Sequence, residues 1–200
     1  MVGSATPVSV DELTLKPDGR LLRSERSRHL IIEATIELIS EGVLIPTAQQ
    51  VAKRANVGIR SVFRHFDDMD SIFETTNERV YENVKHHFTG GDRSGALQTR
   101  VFHAVEQLAN GYEAAKNFML SGRIRIWNTP VIEKNYKLNQ VRLQKELEDW
   151  IPEILNLDRQ DRESAYALSS FDYWYRLTDH QKVSQEGTIA LISKQIQQLL

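Results

Sequence analysis

The side chains between Thr47 and His65 are the ones best suited to chemistry with a nucleic acid. Ile59, Arg60, Ser61 and Arg64 fall at helical spacing, so one face of a short helix would offer an apolar contact, a hydroxyl and two guanidinium groups. Arg60 can clasp guanine through O6 and N7, worth about 1–3 kcal/mol of discrimination. Ile59 can meet a thymine methyl, and Ser61 a base edge or a phosphate. Arg64 can read a base or clamp a phosphate, and the sequence leaves both open. Val62, between them, must face inward.

Other chemistries lack their residue patterns. The histidines (His29, His65, His86, His87, His103, His180) show no HExxH or other metal-ligand spacing. Without cysteine there is no disulfide and no thiolate zinc site. Gly90-Gly91 is followed by Asp92, which suits a turn rather than a phosphate cradle. Glu146, Glu148 and Asp149 read as a solvated helix face. No catalytic set, metal site or cofactor motif is expected.

The elements that hold the reading residues are written in TAQQVAKRANVGIRSVFRHF, from Thr47 to Phe66. Thr47 caps a first helix, and Gln50 three residues on completes a capping box. Ala52 lets a second helix cross closely, while Val51, Ala55, Val57 and Val62 supply the contacts between them. Asn56 falls where the first helix must stop, and asparagine tolerates the left-handed conformation needed there. Gly58 relaxes the turn into the second helix. The pattern is a helix-turn-helix whose second helix fits a major groove.

From Arg28 to about Phe73 the chain resembles the TetR family of bacterial transcriptional regulators. RHLIIEATIELISEG, a short loop and PTAQQVAKRANVGIRSVFRHFDDMDSIF carry the likeness, with the alanines, Val57 and the Phe63-x-His65-Phe66 close in register. The resemblance implies that Thr47 donates to phosphate, that Gln49 reaches a base from the preceding helix, and that His65 neighbours a phosphate. Phe63 stands where the family usually has tyrosine, keeping the ring contact and losing the hydroxyl. Met69 stands where many members have a phosphate-touching lysine. Either this end sits away from DNA, or Arg26 and Arg28 carry that load. The resemblance also implies a homodimer, a double-stranded DNA operator and a small-molecule effector.

Charge agrees with a basic reading end. The net charge is −2 over 200 residues. Between Arg20 and Phe66, however, Arg20, Arg23, Arg26, Arg28, Lys53, Arg54, Arg60 and Arg64 face only Glu25, Glu33, Glu37 and Glu41. A basic head on an acidic body steers one end of the molecule toward a polyanion. An apolar share of 40% with 26% charged residues is ordinary for a soluble globular chain. With no signal-peptide pattern and no 18-residue apolar run, a cytoplasmic protein with no membrane partner is expected.

Three regions are expected: a mobile arm over 1–23, a helix-turn-helix domain over 24–70, and a ligand-binding and dimerisation domain over 71–200. In the arm, Lys16-Pro17-Asp18-Gly19 is a turn signal. A first helix runs from Ser24 to Gly42 with Leu30, Ala34 and Leu38 inward beside Ile31, Thr35 and Ile39. A fourth begins near Asp67 or Asp68, its stripe Ile72, Thr76, Val80, Val84 and Phe88 spaced by four. After the break at Thr89–Gly95 come a helix through Tyr112, another over Phe118–Trp127, and a long one opened by Thr129-Pro130 and ending near Trp150. Two final helices, Arg159–Leu177 and Ser184–Leu199, close the chain. With no alternating pattern long enough for a sheet, the fold class is all-α.

In the last helix Ile189, Ile192, Ile196 and Leu199 form a narrow seam. It can close within its own subunit or, as the resemblance implies, join a symmetry mate. Phe102, His103, Tyr112, Phe118, Trp127 and Trp174 are candidates to line an effector pocket, with plain core as the competing role. The function expected is a DNA-binding regulator, a repressor released from a pseudo-palindromic operator by an effector. A non-inducible DNA binder and a helical small-molecule binder or enzyme are the alternatives.

Overall fold

The computed structural model describes residues 19–127 and 129–200. Most of the expected 1–23 arm, with its turn, lies outside them. Gly19–Arg23 instead opens a helix, α1 (Gly19–Ser40). Burial begins only at Ile31. Leu30, expected inside, is exposed, and Ile32 is buried in its stead. Gly42 at φ +93° ends the helix. Its N–H donates to the Ile39 carbonyl at 2.9 Å and that of Val43 to Leu38 at 2.9 Å, a double closure that requires a left-handed residue.

Two short helices, α2 (Ala48–Arg54) and α3 (Ile59–His65), pack across α1. Ile31, Leu38, Val51, Ala52, Val62, Phe66 and Ile72 form their shared core. Val51 and Val62 are wholly buried, each contributing about 1.5–3 kcal/mol relative to an exposed position. α4 (Met69–Val84) leaves this head under an Asp68 cap, whose carboxylate accepts the Ser71 N–H at 2.8 Å. Ile72, Thr76 and Val80 are buried along it as the spacing predicts, and one tight turn (Lys85–His87) carries the chain to a half-buried Phe88.

The loop over 89–95 follows as expected, with Gly91 at φ +89° beneath the Trp150 indole, where a Cβ would come within 2.6 Å. α5 (Leu97–Arg125) then runs unbroken for 29 residues, where two helices were predicted. Gly111 sits inside it because a Cβ there would overlap the Phe88 ring. α6 (Pro130–Trp150) has the predicted bounds. Beyond a short turn (Pro152–Asn156), the predicted Arg159–Leu177 helix is divided. α7 (Arg159–Leu168) stops, and Ser170 caps α8 (Phe171–Tyr175) by accepting the Tyr173 N–H at 3.3 Å. A wide π turn (Arg176–His180) leads to α9 (Gln185–Gln197).

The body core gathers α5, α6 and α9 with the residues around Trp174. Ile189, Ile192 and Ile196 are buried there, so the seam expected at a subunit interface is used within the chain. That leaves the outward positions Glu186, Ala190 and Lys194 of α9 exposed, with Gln198 just past its end. The described residues contain no strand, and none of their helices is long and apolar enough to cross a membrane.

Candidate functional site

A cap at the start of α2 and a left-handed turn at its end set the angle at which α3 meets the shared core of the head. Thr47 and Gln50 form the capping box: the Gln50 N–H reaches the Thr47 hydroxyl at 3.3 Å, and the Thr47 N–H donates to the Gln50 side chain at 2.8 Å. At the other end of α2, Asn56 adopts φ +53°. The Asn56 N–H donates to Lys53 at 3.3 Å and that of Val57 to Ala52 at 3.0 Å, closing the helix in a Schellman arrangement. Gly58 has an ordinary extended conformation, φ −69°, and a Cβ would meet nothing there. Its expected role in relaxing the turn therefore falls to Asn56.

Val62 anchors α3 at zero exposure, and the opposite face stands free. Ile59 is 46% and Phe63 51% exposed, with Arg60 and Arg64 beside them. Two large apolar side chains about half exposed and flanked by guanidinium groups make a mixed apolar and cationic surface. Ser61 is half-buried and accepts from Arg64 at 3.3 Å. Thr47 and Gln49 are exposed at the start of α2. His65 is half-buried, its Nε2 enclosed without a hydrogen-bond partner among the described residues. Burial, then the positive charges of Arg64 and Arg28, hold its pKa below the ordinary value.

The head's cations divide into two sets. Arg54 is bound to Glu41 at 2.6 Å and to Glu37 at 3.3 Å, which raises its pKa and spends its charge on fastening α2 to α1. Arg28 lies 4.9 Å above the Phe66 ring and donates to Thr75 at 3.4 Å. Lys53, Arg60 and Arg64 have no carboxylate partner among the described residues. Met69 packs against the head core, and the next carboxylate, Asp70, turns to the body. It accepts from Arg125 at 3.0 Å and from Thr129 at 2.9 Å. Farther along this joint the Ser121 hydroxyl donates to the Leu44 carbonyl at 2.7 Å and Asn117 to Ser40 at 2.9 Å.

Below the joint lies a cavity of about 410 Å³ between α4, α5, α6 and the start of α8, a size that suits a small organic molecule. Its wall is mostly apolar: Val80, Val84, Phe88, Phe118, Met119 and Phe171, with Tyr81 and Tyr136. Of the six side chains expected to line a pocket, Phe118 alone lines this cavity. Tyr112 and Trp174 are buried core, packed on Phe171 at 5.6 and 5.7 Å between ring centroids, and so back the cavity wall. Phe102 and His103 sit outward on α5, His103 against Trp150. Trp127 is 87% exposed. The structure does not bring these six together. The polar lining that sequence reasoning missed comes from α4 and α6: Asn77, Asn135, Asn139, Gln140 and Arg142. The one signal for it was the set of amide side chains along α6, Asn135 with Asn139 and Gln140 about one turn on.

Comparison with known proteins meets the chain at two scales. Residues 31–76 match the family model for bacterial regulatory proteins, tetR family. Over the whole chain, a transcriptional regulator from Rhodococcus sp. Rha1 has a similar fold, with a TM-score of 0.64 at 16% identity, covering 88% of this chain and 95% of that one. A TetR transcriptional regulator from Rhodococcus sp. RHA1 is similar at a TM-score of 0.55 and 19% identity, covering 88% and 97%. No curated protein matches the chain.

Proposed function

Because the chain is a TetR-family transcriptional regulator, we propose that it acts as a homodimeric repressor whose two α3 helices read a pseudo-palindromic operator. Successive major grooves about one helical turn, ~34 Å, apart would receive them. The observation that carries this reading is the division of α3, with Val62 wholly buried and Ile59, Arg60, Phe63 and Arg64 turned to solvent. Arg60 and Ile59 read bases, Arg64 a base or a phosphate, and Thr47, Gln49, Gly58, Ser61, Phe63 and His65 complete the contact surface. His65 offers its exposed edge, since Nε2 is enclosed.

The dimer forms through the outward faces of α7 and α9, the inward isoleucines being occupied. A small molecule in the cavity then shifts the population toward a head spacing that no longer fits the operator, provided it binds one spacing more tightly than the other. The protein works in the cytoplasm, as its DNA partner requires, and catalysis has no part in the scheme.

Selection of bound duplexes from a random library tests the reading directly. A pseudo-palindrome with half-sites about one helical turn apart is expected. Repeating the selection at several salt concentrations separates phosphate attraction from base reading. Recovery of sequences with no shared half-site would refute specific operator recognition.

A further inference from the structure

The cavity's charges point to the kind of molecule it admits. Four cationic side chains line it, Lys85, Arg123, Arg142 and Lys145, against two carboxylates, Glu146 and Asp172. Three of the cations are already matched. Arg123 pairs with Asp172, Lys85 with Glu82 at 2.5 Å, and Lys145 with Asp149 at 2.8 Å. Glu146 is likewise held by Arg93 at 2.7 Å. Arg142 has no carboxylate among the described residues. Its guanidinium lies 4.5 Å above the Tyr81 ring and donates only to the Asn139 side chain, at 3.3 Å.

Stacking on an aromatic ring uses the flat face of a guanidinium and leaves its edge donors available, in the fork geometry that matches a carboxylate. Arg142 is solvent-exposed as well as cavity-lining, which puts that fork at the mouth. Inward of it the wall is rings and aliphatic carbon from α4 and α5. A molecule that satisfies both regions carries a flat apolar body and one anionic group at its end.

We propose that the cavity binds an aromatic carboxylate, its rings seated against Phe88, Phe118 and Phe171 and its carboxylate clasped by Arg142. This rests on the reading of the cavity as the effector site and names the class of effector. A cationic ligand is disfavoured because both lining carboxylates are neutralised by their own arginines. A fully neutral ligand would leave the Arg142 fork unused.

Isothermal titration of the full chain with three probes of one shape tests the assignment: 2-naphthylacetate, 2-naphthylacetamide and 2-(2-naphthyl)ethylamine. The carboxylate is expected to bind about tenfold or more tighter than the amide, as charge-assisted hydrogen bonds allow. In Arg142→Gln that preference should vanish while amide binding stays within about twofold. The substitution removes an exposed side chain and should leave folding intact, which thermal unfolding verifies. Equal binding of carboxylate and amide, or tighter binding of the amine, overturns the anionic class while leaving an effector cavity standing. Failure of all three to bind overturns the effector reading together with the proposal.

Discussion

Removing the Asp70 carboxylate should loosen the joint between head and body by an amount the structure sets. Asp70 accepts from Arg125 at 3.0 Å and from Thr129 at 2.9 Å. The Arg125 side chain is 11% exposed, lies 3.3 Å above the Phe73 ring, and has an Nε without a partner. Burial already pushes its pKa down, and Asp70 opposes that. In Asp70→Ala the guanidinium stays enclosed without its counter-charge. A charge-assisted bond of this kind is worth about 1.5–3 kcal/mol when dry. The carboxylate is 43% exposed, so solvent screening discounts it. The expected loss is about 1–2 kcal/mol. Replacing both partners, Asp70→Ala with Arg125→Leu, should cost less than the sum of the two single changes, since the stranded charge leaves as well. Urea unfolding followed by circular dichroism reads this as a lower midpoint at constant slope. A shift in Asp70→Ala below about 0.3 kcal/mol, or strict additivity in the double variant, would refute the account of the joint.

The reading surface and its supports give two further expectations. Arg60→Ala should relax preference at one base position by about 1–3 kcal/mol. Thr47→Ala should weaken every operator variant alike and cost about 0.5–2 kcal/mol of stability through its cap, both measurable by titrating a panel of single-base variants alongside thermal melts. For His65 the sign follows from its depressed pKa. Below the ordinary value of 6.5 the unfolded chain takes up a proton that the folded head resists, so its contribution to stability is lost as pH falls. Melts from about pH 7.5 to 5.5 should therefore fall less steeply in His65→Gln than in the parent, and parallel curves would exclude His65 as the titrating group.

The head was legible because its signals are local. A capping pair three residues apart, an asparagine at a helix end and a buried valine inside a charged turn each act within one or two turns of backbone. They stand in the structure where the sequence put them. The body was legible in rhythm but not in its breaks. α5 passes through the stretch where a break was expected because α9 and the Phe88 ring support it along its length. The interruption at Ser169–Ser170 carries no glycine or proline to announce it. The cavity was the least legible part. Its wall needs Tyr81 of α4, Phe118 of α5 and Arg142 of α6 to converge, and no single periodic pattern contains all three. Aromatic residues alone pointed instead to Tyr112 and Trp174, which build the core behind the wall.

In the proposed mechanism the joint and the cavity share α4, and that sharing fixes what an effector can achieve. Asn77, Tyr81 and Val84 line the cavity two to four turns below Asp70, on the same 16-residue helix. α6, the opposite wall, is buried only at its far end, through Leu147 and Trp150. There the Trp150 indole donates to Gln107 at 2.6 Å, and Arg100 donates to the Trp150 carbonyl at 2.8 Å. A ligand bridging Arg142 and the α4 wall would therefore pull between the middle of α6, held at its start by Thr129 on Asp70 and at its end by Trp150, and the helix that carries the head. Inverting a 1:99 equilibrium takes about 5.5 kcal/mol of differential binding, more than one carboxylate clasp provides. The remainder must come from apolar contacts made in only one arrangement of α4. The Asp70 contacts, at about 1–2 kcal/mol, are then a substantial part of the stiffness through which α4 passes that difference to α3. A head freed from this joint would still bind its operator, but would answer a bound ligand less.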